Sequence, residues 1–168
     1  MEHRRKIARV RTQLIKESSV YCKSDELSTP ERAAEFARSL YYEFKEEEIR
    51  CLPRECMIVC SVDTKSKPVV IEHVSVGTSN AALVDMKSIF QSAILANANG
   101  IIVFHNHPSG SPNPSIEDNL ITNKIREAGK LLDIPLIDHI IVGDSGYYSN
   151  QDQCVSEWKE ETTYETAC

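Results

Sequence analysis

The sequence predicts one domain of mixed α/β class, and three observations carry that reading. Apolar residues at helical spacing alternate along the chain with short β-branched runs. Hairpin signals fall between the helices instead of collecting in one half. A length of 168 residues is enough for a single core and short for two.

The elements follow in order. Residues Glu2 to Glu17 are rich in Arg and Lys, with Ile7, Val10, Leu14 and Ile15 at helical spacing, which predicts an amphipathic lead-in helix. Thr29-Pro30 opens a clearer helix, with proline at its first position. Ala33, Phe36, Ala37, Leu40 and Phe44 form its apolar stripe, ahead of the solvated run Glu46–Glu48. Strands are expected at Cys56–Val62 and Val69–Val76, joined through Thr64–Pro68. Asp85 caps a helix carrying Met86, Ile89, Phe90, Ala93 and Ile94, with Gly100 just past its end. Ile101–Phe104 reads as a buried strand, and a helix starting at Ser115 is expected to stop near Gly129. Leu136–Val142 and Tyr147–Ser149 flank Gly143-Asp144-Ser145-Gly146, a hairpin signal. The chain therefore divides into a basic arm (1–27), a central domain (28–150) and an acidic tail (151–168) that offers little to bury beyond Trp158 and Tyr164.

The stretch His105 to Asp118 carries the chemistry. Side chains alternate along a strand, so His105 and His107 leave the end of the Ile101–Phe104 strand on one side. Pro108 cannot donate to a sheet ladder and ends the strand. After a loop rich in Pro, Gly and Ser, Ser115 is a good helix N-cap, and Asp118 falls one turn later on the same face. Two imidazoles and a carboxylate can converge there, leaving a fourth tetrahedral position for water, as in a catalytic zinc site. A plainer reading stands beside it: Ser115-Ile116-Glu117-Asp118 also fits a capping box, which needs no metal. The letters His-Asn-His do not signal the nuclease motif of that name, whose residues are widely separated. An amidohydrolase barrel, which also opens its metal site with His-x-His, needs about 250 residues.

The pattern His-x-His-x(10)-Asp, with Ser three residues before the Asp, resembles that of the JAMM (MPN/JAB) metalloprotease domain. More narrowly, Ser75-Val76-Gly77-Thr78, the helix end Ala93–Ala98, His105-Asn106-His107-Pro108-Ser109-Gly110 and Asp138–Asp144 resemble the RadC-like branch. The resemblance runs from about Ser28 to Ser149. It implies the cytidine-deaminase-like sandwich of JAMM domains, with a central mixed sheet and flanking helices. It also implies a glutamate on an earlier strand, and Glu55 stands where RadC-like sequences place it, eight residues before Asp63. RadC proteins carry a helix-hairpin-helix-like region towards the N-terminus; this sequence shows none. On this reading His105, His107 and Asp118 hold Zn²⁺, which lowers the pKa of a water to about 7. Glu55 is the general base, and Ser115 donates to the oxyanion. His139, a lone histidine on an apolar strand, is read as structural.

The implied activity is zinc-dependent hydrolysis of an amide bond in a peptide or an isopeptide-linked protein. The alternatives are a non-catalytic protein-binding MPN module and a DNA-repair-associated protein of RadC type. The complete set Glu55, His105, His107, Ser115 and Asp118 favours the hydrolase. A formal charge of −6 opposes broad phosphate binding, leaving only the arm Arg4, Arg5, Lys6, Arg9 and Arg11 for nucleic acid. Self-association stays open. No run approaches the roughly eighteen apolar residues of a membrane span, and no signal peptide is seen, so the expected location is the cytoplasm. The six cysteines form no Cys-x-x-Cys pair and are expected as small buried hydrophobes, Cys56 and Cys60 on the strand face opposite Glu55.

Overall fold

In a computed structural model of the chain, residues 13–16, 19, 25–42, 55–76 and 85–159 are described. The expected lead-in helix lies outside them, apart from residues 13–16, which are irregular and exposed. Helix α1 (Pro30–Tyr42) begins as its sequence demands: Thr29 Oγ1 accepts from the Arg32 N–H at 3.3 Å, and Pro30 occupies a position with no N–H to satisfy. Its inner face buries Ala33, Ala34, Phe36, Ala37, Leu40 and Tyr41. Phe44 is outside the described residues.

Strand β1 (Cys56–Val62) is buried on both faces, which is why it reads as a continuous apolar run instead of alternating. The turn to β2 (Pro68–Val76) is held by the Asp63 carboxylate, whose Oδ1 accepts from the N–H groups of Lys65 (2.8 Å) and Lys67 (3.0 Å). Helix α2 (Met86–Leu95) is capped by Asp85 as expected. Ile94, assigned to its stripe, is 53% exposed, and Ser92 is buried in its stead. Strand β3 (Gly100–Asn106) carries His105 inside the sheet, so Gly100 opens a strand and does not close a helix.

Helix α3 (Ile116–Leu132) runs past Gly129 and closes at Asp133 in a left-handed conformation (φ 55°). Gly129 is required for another reason: a Cβ there would lie 2.5 Å from the Ile134 carbonyl oxygen, because the chain folds back over it into β4 (Leu136–Val142). Strand β5 (Gly146–Ser149) follows through the expected hairpin, closed by Gly143 N–H to Gly146 O at 2.8 Å. A further strand, β6 (Cys154–Glu157), lies in the segment expected as a tail. It is short and largely exposed, and it is fixed by pairing with β5 and by the Trp158 ring against Tyr147, 5.2 Å between centroids.

The six strands form one mixed sheet in the order β2-β1-β3-β4-β5-β6, with β3 and β4 the parallel pair. One core lies on the α1 face, around Phe36, Leu40, Ile58, Ile102, Phe104 and Ile140. The other lies under α2 and α3, around Met57, Val59, Phe90, Val103, Ile121 and Ile125. The architecture is the helix-flanked mixed sheet that the resemblance implied. Cys60 is a buried cysteine and Cys154 an exposed one, whereas Cys56 is disulfide-bonded, contrary to the expectation that it is a simple buried hydrophobe. No helix among the described residues is long and apolar enough to cross a membrane.

Candidate metal centre

The site is assembled at one end of the sheet by β1, β3 and α3. Met57 pairs with His105 in the antiparallel β1–β3 ladder, so two residues further on the same face Glu55 meets His107. The outcome is a group in which one ligand atom each from Glu55, His105 and His107 lie within 4.8 Å of one another. These residues could hold a metal ion.

Asp118 enters from the first turn of α3. Its Oδ1 is 3.2 Å from His105 Nδ1 and its Oδ2 is 3.3 Å from His107 Nε2. Ligands about 2.0–2.1 Å from a tetrahedral zinc stand roughly 3.3 Å apart, so these spacings fit a shared ion. Two features of the donors also fit one. His105 Nδ1 is buried and makes no hydrogen bond. His107 Nδ1 lies 2.7 Å from the Ser111 carbonyl oxygen, which can only accept, so Nδ1 carries the proton. With a metal ion bound, the ring would be neutral and offer its Nε2 lone pair to the ion, and the carbonyl fixes its orientation.

Electrostatics reflect the crowding. Burial works to raise the Asp118 pKa, but the His105 and His107 rings and the Ser115 hydroxyl and backbone N–H outweigh it and hold the carboxyl well below its usual range. The Asp118 contact in turn raises His107. Ser115 and Asp118 form the capping box the plainer reading required: the Asp118 N–H donates to Ser115 Oγ at 3.0 Å, and the Ser115 N–H to Asp118 Oδ2 at 2.7 Å. The Ser115 hydroxyl itself donates to Asp118 Oδ2 at 2.6 Å. Its single proton is thus committed to orienting Asp118 in this geometry and is not turned outwards for an oxyanion.

The loop from His107 to Ser115 is braced against the β4–β5 hairpin. The His107 N–H reaches the Val142 carbonyl at 3.3 Å, and the Asp144 N–H reaches the Gly110 carbonyl at 2.8 Å. Gly110 has φ +76°, and a Cβ on Gly143 would lie 2.5 Å from Gly110 O and 2.7 Å from Pro112 N. Neither position accepts a side chain at no cost.

Four residues beyond the expected set shape the site. Asn106 points to the opposite face from its histidine neighbours, and its Oδ1 accepts from the Cys56 N–H at 2.7 Å. The Tyr41 hydroxyl donates to the Cys56 carbonyl at 3.2 Å, so the residue after Glu55 is held from both sides. His139 is buried on β4, its ring stacked on that of His105 with 6.0 Å between centroids and 19° between planes. Its Nδ1 lies 2.6 Å from Thr122 Oγ1, and Thr122 Oγ1 donates to the Asp118 carbonyl at 2.5 Å. Burial, followed by the charge of the His105 ring, pushes the His139 pKa down to about 3, so the ring is neutral. The available signal for His139 was its place in Asp138-His139-Ile140-Ile141-Val142; its parallel alignment with β3 was not visible.

Comparison with known proteins shows the family. A family model described as "RadC-like JAB domain" matches residues 27–155. The chain belongs to the RadC-like JAB family. Among curated relatives, a "UPF0758 protein" of Thermotoga maritima is 44% identical over 107 residues, covering 64% of this chain and 48% of the relative. A protein of the same name from Alkaliphilus metalliredigens is 47% identical over 103 residues, covering 61% and 44%. Another from Methanosarcina acetivorans is 45% identical over 100 residues, covering 60% and 44%. The matched part is thus about half the length of these relatives. The RadC-like JAB match ends within β6.

Proposed function

We propose that this RadC-like JAB domain is a zinc-dependent hydrolase of amide bonds, acting on a peptide or an isopeptide-linked protein. The observation that carries the proposal is the convergence of the Glu55 carboxylate with His105 and His107, from strands separated by some fifty residues of chain. A carboxylate beside two ligand histidines is what a general base for hydrolysis requires, and a purely structural metal site does not need it. His105, His107 and Asp118 are the proposed ligands. A zinc ion held by them would supply Lewis acidity and bring the pKa of water near neutrality.

The residues of the chain divide the remaining work. Glu55 accepts a proton from the attacking water and returns it to the departing amine nitrogen. Ser115 holds Asp118 in place and, once its hydroxyl is released from Asp118, donates a hydrogen bond to the substrate carbonyl oxygen; one such donor is typically worth about 3–4 kcal/mol. The braced loop 107–114 forms one wall of the approach to the site.

The test is a screen of the zinc-loaded protein against peptide libraries and ubiquitin-like conjugates, with Glu55→Gln run in parallel. Turnover should fall by about 10²–10⁴ in the variant, while zinc content and folding stay as in the wild type. Loss of zinc in Glu55→Gln would make Glu55 a ligand and remove it as base. Absence of turnover on every substrate, with zinc bound, would make the domain a non-catalytic binding module.

A further inference from the structure

His139 is a buried polar side chain that neither the sheet nor the proposed chemistry uses. Its environment fixes its tautomer. The Asp118 carbonyl can only accept, so the Thr122 hydroxyl spends its single proton there. Thr122 Oγ1 is then an acceptor for the ring, and His139 Nδ1 must carry hydrogen. Nε2 is left as a bare lone pair, buried and without a hydrogen-bond partner.

The ring also has a fixed place in the sheet. In the parallel β3–β4 register Val103 pairs with His139 and His105 with Ile141. His139 therefore lies one step below His105 on the face that α3 covers, which is why the two rings stack. One side chain thus touches the machinery twice. It packs on a histidine of the metal cluster, and through Thr122 it holds the backbone of Asp118.

We propose that His139 is a positioning residue for the metal site, acting through the relay His139 Nδ1–H to Thr122 Oγ1–H to Asp118 O and through its stack on His105. The inference rests on the reading of His105, His107 and Asp118 as metal ligands. The relay fixes how deeply the first turn of α3 seats against β4, and so where the Asp118 carboxylate stands relative to the His105 ring. Groups that orient ligands in this way usually set metal affinity, with losses of about 10- to 100-fold when they are removed.

The experiment is a titration of the full chain with Co²⁺ and Zn²⁺, following the cobalt absorption bands. The proteins are wild type, His139→Asn, His139→Gln, His139→Leu, Thr122→Val and Thr122→Ser. Asparagine places an amide N–H where Nδ1 stands, and glutamine places it nearer Nε2. We expect His139→Leu, His139→Gln and Thr122→Val to weaken metal binding about 10- to 100-fold and to shift the cobalt bands. His139→Asn and Thr122→Ser should keep the wild-type spectrum and most of the affinity. A merely structural role would give the three His139 variants similar losses of metal-free thermal stability without sorting their spectra. Should the His139 variants fail to fold, the Thr122 pair asks the same question. Wild-type affinity and spectrum in folded His139→Leu or in Thr122→Val, or rescue by glutamine equal to that by asparagine, would overturn the inference alone. Failure of the wild type to bind either metal would overturn the ligand reading itself, and the inference with it.

Discussion

Glu55 and His107 meet one step beyond the Met57–His105 pair of the antiparallel β1–β3 ladder. The proposed base and a proposed ligand are therefore set by strand register, with no flexible loop between Glu55 and β1. A slip of one residue in this pairing would send the carboxylate to the opposite face of the sheet, under α1.

The first prediction concerns occupancy. Purified protein should hold about one Zn²⁺ per chain, and His107→Ala should lose most of it, because two protein ligands seldom retain zinc against water. Elemental analysis giving equal metal in both proteins would remove the site.

The braced loop gives a second prediction. Gly110→Ala should cost at least about 1–2 kcal/mol, the usual penalty of a side chain in the left-handed region, and must also displace the Asp144 carboxylate. Gly143→Ala should be more damaging in its effect on the loop, because the atoms in the way are the backbone of Gly110 and Pro112. About 1–3 kcal/mol is expected there, with weaker metal binding as His107 loses the Ser111 carbonyl. Urea midpoints of the two variants decide; a neutral Gly143→Ala would contradict the packing described.

A third prediction is pH-dependent. The backbone N–H of Lys67, and then that of Lys65, hold the Asp63 carboxyl below its ordinary pKa. A depressed folded-state pKa means that the folded protein binds fewer protons than the unfolded one, so this contribution is present above about pH 4 and is lost as pH falls through the folded value. Asp63→Asn keeps one acceptor but not the charge. Its melting point should lie below that of the wild type at pH 7, and the gap should close below pH 4. A gap independent of pH would mean that the charge on Asp63 has no part in holding the turn.

The fourth prediction follows from overall charge. Duplex DNA should bind weakly, through the basic residues before position 17, and binding should vanish at moderate salt. Fluorescence anisotropy with and without residues 1–17 tests this, and tight binding that survives both truncation and salt would revive a DNA-associated role.

Much of the fold was legible because its signals are local. Thr29-Pro30, Asp85 and Ser115 cap the helices they were expected to cap, and a strand stands at Cys56–Val62 as expected. The His105–Asp118 window brought four of the site residues into view, and Glu55 came from the family pattern. What failed depended on non-local geometry. Gly129 reads as a helix stop, but its purpose is the close return of Ile134 over α3. The segment 154–157 has too few buried positions to announce a strand and becomes one only because β5 presents an edge. The stack of His139 on His105 had no local signal either, because nothing in sequence reveals that β4 lies parallel to β3 with His139 beside Val103.

His105 and Asn106 are adjacent in the chain yet look into opposite layers of the molecule. His105 faces α3 and the cluster with Glu55 and His107, while Asn106 holds the Cys56 N–H on the α1 side, where the Tyr41 hydroxyl holds the neighbouring carbonyl. A single peptide unit thus acts as a crossbar through the sheet. Tilting it to relax one layer would strain the other, so the two halves of the domain must settle together. Tyr41→Phe, on the α1 side of the sheet, should for that reason weaken metal binding at the proposed site.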